Sequence, residues 1–302
     1  MKTRMLTALA LLIGLAILLN FYSYKFCLAV IFIICSIIQV EWESLMPNRL
    51  LLQISQNQNE KSKNKALFFQ SVIMFIGNIL FAYVAVSLCI SNFNTISIFI
   101  ISSLIGIFWL ICSLYALYKP IYTLSNISRK ILYRILPNLT TIALLLAVLI
   151  LLNNGLVKNY SLLLFTLPLV WLTDSMAYFI GRKFGRKKLA PNISPKKSVE
   201  GAIGGIICAT IIVSYAYYHI NLSINIYMII YFLGLSLVSI LGDLFQSRLK
   251  REFNIKDSSQ LLPGHGGFFD RFDAAVPVIL FSIYVPNSIF IDKIIIPNYS
   301  WL

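Results

Sequence analysis

Residues that could do chemistry are concentrated near the C-terminal end of an otherwise apolar chain. The stretch 242–273 reads GDLFQSRLKREFNIKDSSQLLPGHGGFFDRFD. On a helix Asp243 and Ser247 would share one face, and Asp270 and Asp273 would share another, because residues three or four apart are neighbours. Converging carboxylates offer hard oxygen ligands, which suit Mg²⁺ with water and phosphate oxygens completing its shell. The stretch therefore predicts a magnesium site, and not a zinc site, formed by Asp243, Asp270 and Asp273.

Basic residues in the same stretch could bind the anionic partner of that metal. Cations of this kind pair with polyphosphates, and the glycines of PGHGG (263–267) would let backbone approach a phosphate closely. Taken singly, the glycines could form a turn and His265 could be a hydrogen-bonded loop residue. Three acids and four bases so close together favour a phosphate site. The four bases are Lys250, Arg251, Lys256 and Arg271.

A second polar stretch, ISPKKSVEGAIGG (193–205), predicts the start of a helix. Ser198 is a plausible N-cap, and Glu200 would lie in the first turn, where the helix dipole favours an acid. The glycines that follow would allow close helix packing. Capping and packing do not explain Lys196 and Lys197, whereas an anion held by these lysines and the free N–H groups of the helix start does.

Asp174 lies inside an apolar run, in WLTDSMAYFIGRKFGRKK (171–188). A charge within a membrane span is costly and marks a functional-site hypothesis. The alternative is an ion pair with a nearby base such as Arg182, two helical turns further on. Both interpretations stay open at this point.

The composition identifies an integral membrane protein. The chain has 302 residues, of which 59% are hydrophobic and 12% charged, and its mean hydropathy is +0.82. A soluble domain has about a quarter of its residues charged. Since a span needs about 20 apolar residues, we predict an all-α polytopic protein of about nine transmembrane helices. They are 5–24, 26–40, 67–90, 95–118, 138–154, 160–180, 201–220, 224–245 and 274–291.

The basic residues predict the orientation of these spans. With the N-terminus inside, 22 of the 25 lysines and arginines fall in cytoplasmic segments. This follows the positive-inside rule and places the C-terminus outside. Membrane topology also explains the net charge of +14, so we do not expect nucleic acid as a partner. All the polar clusters then face the cytoplasm, at the inner surface of the cell membrane.

The acidic residues divide the chain into two halves. Residues 1–150 contain three acids, Glu41, Glu43 and Glu60, which we place in one loop. Asp174 is the first of the other eight acids, and all the rest follow it in the sequence. We therefore expect 1–150 to be a transmembrane scaffold and 151–302 to be the catalytic region of one integral membrane domain.

The stretch SRLKREFNIKDSSQLLPGHGGFFDRFD (247–273) resembles the signature of phosphatidate cytidylyltransferases, also called CDP-diacylglycerol synthases. ISPKKSVEG is similar to a second characteristic stretch of that family, and DSMAYFIGR (174–182) to a third. The resemblance covers about 170–275, and the N-terminal half matches only in being hydrophobic. One departure is Gln246, where the family is expected to have an acid in many members.

The resemblance implies the transfer of CMP from CTP to phosphatidic acid, with CDP-diacylglycerol and pyrophosphate as products. It implies Mg²⁺ at the three aspartates, with a second, monovalent cation and a homodimer left open. It also implies catalytic roles for one group of residues and substrate binding for another. The catalytic residues would bind or orient phosphates, except that Asp174 would orient Lys196 and Lys197. The catalytic group is Asp174, Lys196, Lys197, Ser247, Lys256, His265 and Arg271, and the substrate-binding group is Ser194, Lys250, Arg251, Asp257, Gly266 and Gly267.

Two other functions remain as alternatives. A CTP-dependent lipid kinase would transfer the γ-phosphate to an alcohol and would need a base for that hydroxyl. A transporter would use Asp174 and Asp243 as coupling acids, but transporters usually place such sites near the bilayer midplane between repeated halves. Here the acids lie toward span ends and the halves look unlike.

Overall fold

The chain is largely helical where its structure is described. In this computed structural model the described residues are 33–42, 95–118, 131–137, 139–141, 143–144, 160–221, 224–252, 255–259, 261 and 266–282. In chain order the elements are α1 (Ile33–Trp42), α2 (Thr95–Tyr118), a π-helical segment (Ile131–Ile135), α3 (Tyr160–Phe184), β1 (Lys188–Ala190), β2 (Ser194–Ser198), α4 (Val199–Asn221), α5 (Ile226–Arg251) and α6 (Ala275–Phe281).

The chain divides into two compact units. The first unit consists of Met1–Leu146 and Phe245–Asp273, and the second of Ala147–Leu244 and Ala274–Leu302. The signature stretch therefore packs mainly with the N-terminal part of the chain. The division of roles into a scaffold 1–150 and a catalytic region 151–302 stays a prediction.

Four predicted spans coincide with helices. Spans 95–118, 160–180, 201–220 and 224–245 match α2, α3, α4 and α5, and α5 continues to Arg251. The described residues of 138–154 are helical, and 274–291 begins with α6. Spans 5–24 and 67–90 lie outside the described residues. The count of nine and the orientation of the termini stay predictions.

The predicted span 26–40 ends too early, and this error matters for the site. Helix α1 continues past residue 40 and includes Glu41 and Trp42, both buried. The placement of Glu41 in a loop is therefore incorrect. The carboxylate is retained in the helix because it has hydrogen-bond donors on a neighbouring segment, which a hydropathy pattern does not reveal.

The described helices include three that are long and apolar enough to cross a membrane. They contain Ile100–Tyr118, Val199–His219 and Ile226–Arg251. Large apolar side chains such as Leu104 and Ile211 are exposed on these helices, as lipid-facing residues are. These features identify an integral membrane protein.

Helices α3 and α4 of the second unit approach each other closely. A Cβ atom on Gly201 would lie 2.6 Å from the Ala177 carbonyl oxygen, and one on Gly205 would lie 2.7 Å from the Thr173 carbonyl oxygen. This confirms the predicted role of these glycines in packing. Apolar side chains fill the core of this unit: Phe165, Leu169, Val170, Ala209, Val213, Tyr217, Met228, Phe232, Leu235, Ala274 and Val278.

A short antiparallel hairpin, β1–β2, connects α3 to α4 and departs from the all-α prediction. Its register pairs Lys188 with Ser198 and Ala190 with Ser194. Prolines at 191 and 195 oppose helix across this stretch, and a two-stranded hairpin tolerates a proline because both strands are edges. Ser194, Lys196 and Lys197 therefore lie on a strand.

Candidate active site

The second unit contains a charged group that we call the hairpin cluster: Asp174, Lys197 and Asp243. Lys197 Nζ on β2 donates a hydrogen bond to Asp243 Oδ2 on α5. Asp174 on α3 interacts electrostatically with both partners. Asp174 thus lies near a lysine of the hairpin. Arg182 lies exposed at the end of α3.

The start of α4 confirms the predicted cap. Gly201 N–H donates to Ser198 Oγ at 3.2 Å, and Val199 N–H donates to the Lys187 carbonyl oxygen at 2.9 Å. These two N–H groups therefore already have acceptors within the chain. Since Lys196 is exposed on a strand, an anion bound by it would be held by side chains more than by the helix start.

The first unit contains a second charged group, the loop cluster, formed by Lys250, Ser258, Gly267 and Asp270. Lys250 Nζ on α5 donates to Asp270 Oδ1 at 2.8 Å. The backbone N–H groups of Ser258 and Gly267 donate to Asp270 Oδ2 at 2.8 and 2.9 Å. Burial alone would raise the pKa of Asp270, but the hydrogen bonds from Lys250, Gly267 and Ser258 outweigh it and hold that pKa below its usual range.

The remaining predicted residues of this stretch occupy varied environments. Arg251 Nη1 donates to the Ile255 carbonyl oxygen at 3.2 Å, which closes the end of α5. Gly266 has φ +82°, a conformation that favours glycine. Lys256, Asp257 and Arg271 are exposed, Ser247 and Asp273 are partly buried, and His265 lies outside the described residues.

Glu41 is a residue of this region that sequence reasoning missed. Its Oε1 accepts hydrogen bonds from Ser259 Oγ at 2.6 Å and Phe268 N at 3.1 Å. Its Oε2 accepts from Ser258 Oγ at 3.0 Å and Phe269 N at 2.7 Å. The available signal was an acid placed directly after an apolar run in a chain with few acids.

The two sequence neighbours of Ser247, Gln246 and Arg248, were also not predicted as residues of the site. Gln246 is buried and its Nε2 donates to the Phe269 carbonyl oxygen, a bond that an ionised acid at this position could not donate. Arg248 is partly buried, and its Nε has no hydrogen-bond acceptor in the described part of the chain. A guanidinium stays charged, so this group is suited to an anionic ligand.

The carboxylates fit a magnesium ion in their chemistry. Within the described ranges, no group of three His, Cys, Asp or Glu side chains could hold a metal ion. Mg²⁺ needs only one or two carboxylates, because waters and substrate phosphates complete its shell. Asp243 and Asp270 each already hold a lysine ammonium, so each lies where a cation can be held. The joint site that includes Asp273 stays a prediction.

The helices are long and apolar enough for a bilayer, and the chain also carries two lysine–aspartate pairs, so it is an integral membrane protein with charged groups. The chain belongs to the Cytidylyltransferase family, whose profile matches residues 2–289. It is similar to the phosphatidate cytidylyltransferase of Haemophilus influenzae, with 48% identity over 131 residues, 41% of this chain and 44% of that protein. The protein of the same name from Staphylococcus haemolyticus is 44% identical over 118 residues, 39% of this chain and 45% of the relative. The matches thus span less than half the length of these relatives.

Proposed function

We propose that this protein is a phosphatidate cytidylyltransferase, which transfers CMP from CTP to phosphatidic acid. The observation that carries the proposal is the loop cluster, a lysine–aspartate pair in the stretch that carries the family signature. Lys250 and Asp270 pair a cation with a carboxylate at the end of a helix suited to the bilayer. In our proposal the lysine binds the polyphosphate and the aspartate binds its metal.

The chemistry needs positioning more than activation. A phosphate oxygen of phosphatidic acid attacks the α-phosphorus of CTP, and the bond between that phosphorus and the oxygen leading to the β-phosphorus breaks. Pyrophosphate leaves with the electron pair of that bond. Since the attacking phosphate is already anionic at neutral pH, no side chain has to remove a proton from it. The protein must align two anions and stabilise the charge that grows on the leaving group.

The residues present divide this task between metal-binding and phosphate-binding groups. In our proposal Asp243, Asp270 and Asp273 hold Mg²⁺, which would neutralise the charge on the triphosphate. Cationic and polar side chains bind and orient the two phosphate substrates, and Asp174 orients Lys197. The phosphate-binding residues are Ser194, Lys196, Lys197, Ser247, Lys250, Arg251, Lys256, His265 and Arg271, with Asp257, Gly266 and Gly267 in the surrounding loop.

The length of α5 supports a site at the membrane surface. Its 26 residues extend over about 39 Å at 1.5 Å per residue, whereas the hydrocarbon core is about 30 Å thick. The polar end, which carries Arg248, Lys250 and Arg251, therefore extends beyond the apolar layer. We propose that this end faces the cytoplasm at the inner membrane, so that CTP arrives from water while the diacyl tails stay in the bilayer.

Arg248 is expected to contribute to binding of phosphatidic acid. Arg248→Met keeps much of the side-chain length but removes the charge, and should raise the KM for phosphatidate about tenfold, as the loss of one charged hydrogen bond does. The kcat should change less. A matched control is Lys183→Met, which removes an exposed charge at the end of α3. An unchanged KM in purified Arg248→Met would contradict this role.

The proposed function is tested by following label from CTP into lipid. Detergent-solubilised protein is incubated with phosphatidate, Mg²⁺ and CTP labelled at the α- or the γ-phosphate, with EDTA as control. We expect α-label in the lipid product and none after chelation. Label from the γ-phosphate would instead indicate a lipid kinase, and absence of both labels would overturn the proposal.

A further inference from the structure

Glu41 receives an unusual set of hydrogen bonds for a residue of the predicted scaffold. The side chain is 4% exposed. Four donors from the described part of the chain, two on each oxygen, occupy about the full capacity of a carboxylate. All four belong to two described segments near Asp270, and they are Ser258, Ser259, Phe268 and Phe269. Glu41 is therefore suited to hold a segment in place and not to ligate a metal.

Glu41 and Asp270 accept hydrogen bonds from the same short segment of backbone. The consecutive N–H groups of residues 267, 268 and 269 point to these two carboxylates, Gly267 to Asp270 and the other two to Glu41. Ser258 joins them as well, since its N–H donates to Asp270 and its hydroxyl to Glu41. Successive N–H groups that converge on anions fix the backbone conformation. The backbone that donates to Asp270 is therefore also held by Glu41.

The surrounding packing supports the same dependence. A Cβ atom on Gly267 would approach the Glu41 carboxylate and Ser258 Oγ to 2.4 and 2.1 Å, so Glu41 fits against this glycine without room for a side chain. Trp42, the next residue of α1, stacks on Phe269 with ring centroids 5.1 Å apart. The end of α1 thus contacts the loop through both a carboxylate and an aromatic ring.

We infer that Glu41 is a positioning residue that fixes residues 258–259 and 266–270, called the loop below, so that Asp270 meets its cation and the substrate phosphates. This rests on the proposed function, and it gives the N-terminal part of the chain a direct role in the site. Glu41 acts through the loop and does not contact the reacting atoms. Its removal should therefore change how the site binds Mg²⁺ and how the loop exchanges its amide protons.

The test uses Glu41→Gln in the full chain, because the amide nitrogen cannot accept a hydrogen bond from Phe268 or Phe269 N–H. We expect the Mg²⁺ concentration for half-maximal activity to rise about 10- to 100-fold, the range for losing a group that orients a metal ligand. Hydrogen exchange should quicken in the peptide 258–270. When Glu41→Gln is combined with Asp270→Asn, the rise in the Mg²⁺ requirement should be smaller than the sum of the two single effects. The reason is that both changes act on the same hydrogen-bonded group.

A destabilised control separates positioning from general stability. Leu235→Ala opens a cavity in the core of the second unit and should lower thermal stability without changing the Mg²⁺ dependence or exchange in 258–270. Wild-type Mg²⁺ dependence and exchange in Glu41→Gln, or effects that add fully to those of Asp270→Asn, would overturn the inference. Failure of the wild-type chain to make lipid-linked CMP would overturn the proposed function instead, and the exchange experiment would still test the loop.

Discussion

Replacing Asp243 with asparagine is expected to lower kcat by about 10²- to 10³-fold, the range for removing one preorganised charged group from an active site. The change keeps the size of the side chain but removes its charge. Lys197 Nζ would lose the anion that it now contacts, and Asp174 would become its remaining acidic neighbour in the hairpin cluster. The site would also lose an oxygen ligand proposed for Mg²⁺. Turnover of α-labelled CTP in detergent is the measurement.

The control for Asp243 is a carboxylate-to-amide change of the same kind at another position. Glu252 directly follows α5 and has no role in the proposed site, so Glu252→Gln should retain activity. Both variants should elute as folded protein and unfold thermally near the wild-type temperature. Wild-type turnover by a folded Asp243→Asn enzyme would remove Asp243 from the catalytic machinery.

Replacing Asp270 with asparagine is expected to have the largest effect on stability. The Lys250–Asp270 pair is nearly buried, with side chains 12% and 7% exposed. Asparagine keeps one carbonyl oxygen, and its amide nitrogen cannot accept a hydrogen bond. Either Lys250 or the N–H groups of Ser258 and Gly267 would therefore lose an acceptor. Breaking a buried pair in this way costs about 3 kcal/mol or more. Thermal or denaturant unfolding followed by tryptophan fluorescence measures the loss.

The pH dependence of the same variant provides a second measurement. Because the pKa of Asp270 lies below its usual range, its stabilisation is fully present above the ordinary value of about 3.9 and is lost as the pH falls through the lowered pKa. The stability difference between wild type and Asp270→Asn should therefore shrink on acidification below about pH 4. The exposed Asp257 offers a comparison, since Asp257→Asn should change stability by about 0.5 kcal/mol or less. A difference that is constant with pH would contradict the pairing.

Several features of the site were predictable because they depend on local spacing. Ser198 caps α4 as its position before a glycine-rich apolar run indicates, and Gly201 and Gly205 lie at the close contact between α3 and α4. Each of these inferences uses residues within about two helical turns of one another.

Other features depend on contacts between distant segments and could not be found in this way. The partners of the lysines are an example: Lys197 pairs with Asp243, 46 residues away, and Lys250 pairs with Asp270, 20 residues away. Lys196 and Lys197 lie on a hairpin strand that leads directly into the predicted start of α4. Proline spacing opposes a helix there, but the pairing of Lys188 with Ser198 requires the two strands to meet.

The sequence alone determined that this is an apolar, largely helical protein whose acids and bases gather in a few short stretches, because hydropathy, spacing and charge are properties of neighbouring residues. Only the tertiary structure decided which charge meets which. Glu41 shows the reason most clearly: it lies 217 residues from Ser258 in the sequence, yet its carboxylate accepts hydrogen bonds from the loop that orients Asp270. A buried carboxylate is stable only where donors converge on it, and that convergence exists only once the chain has folded.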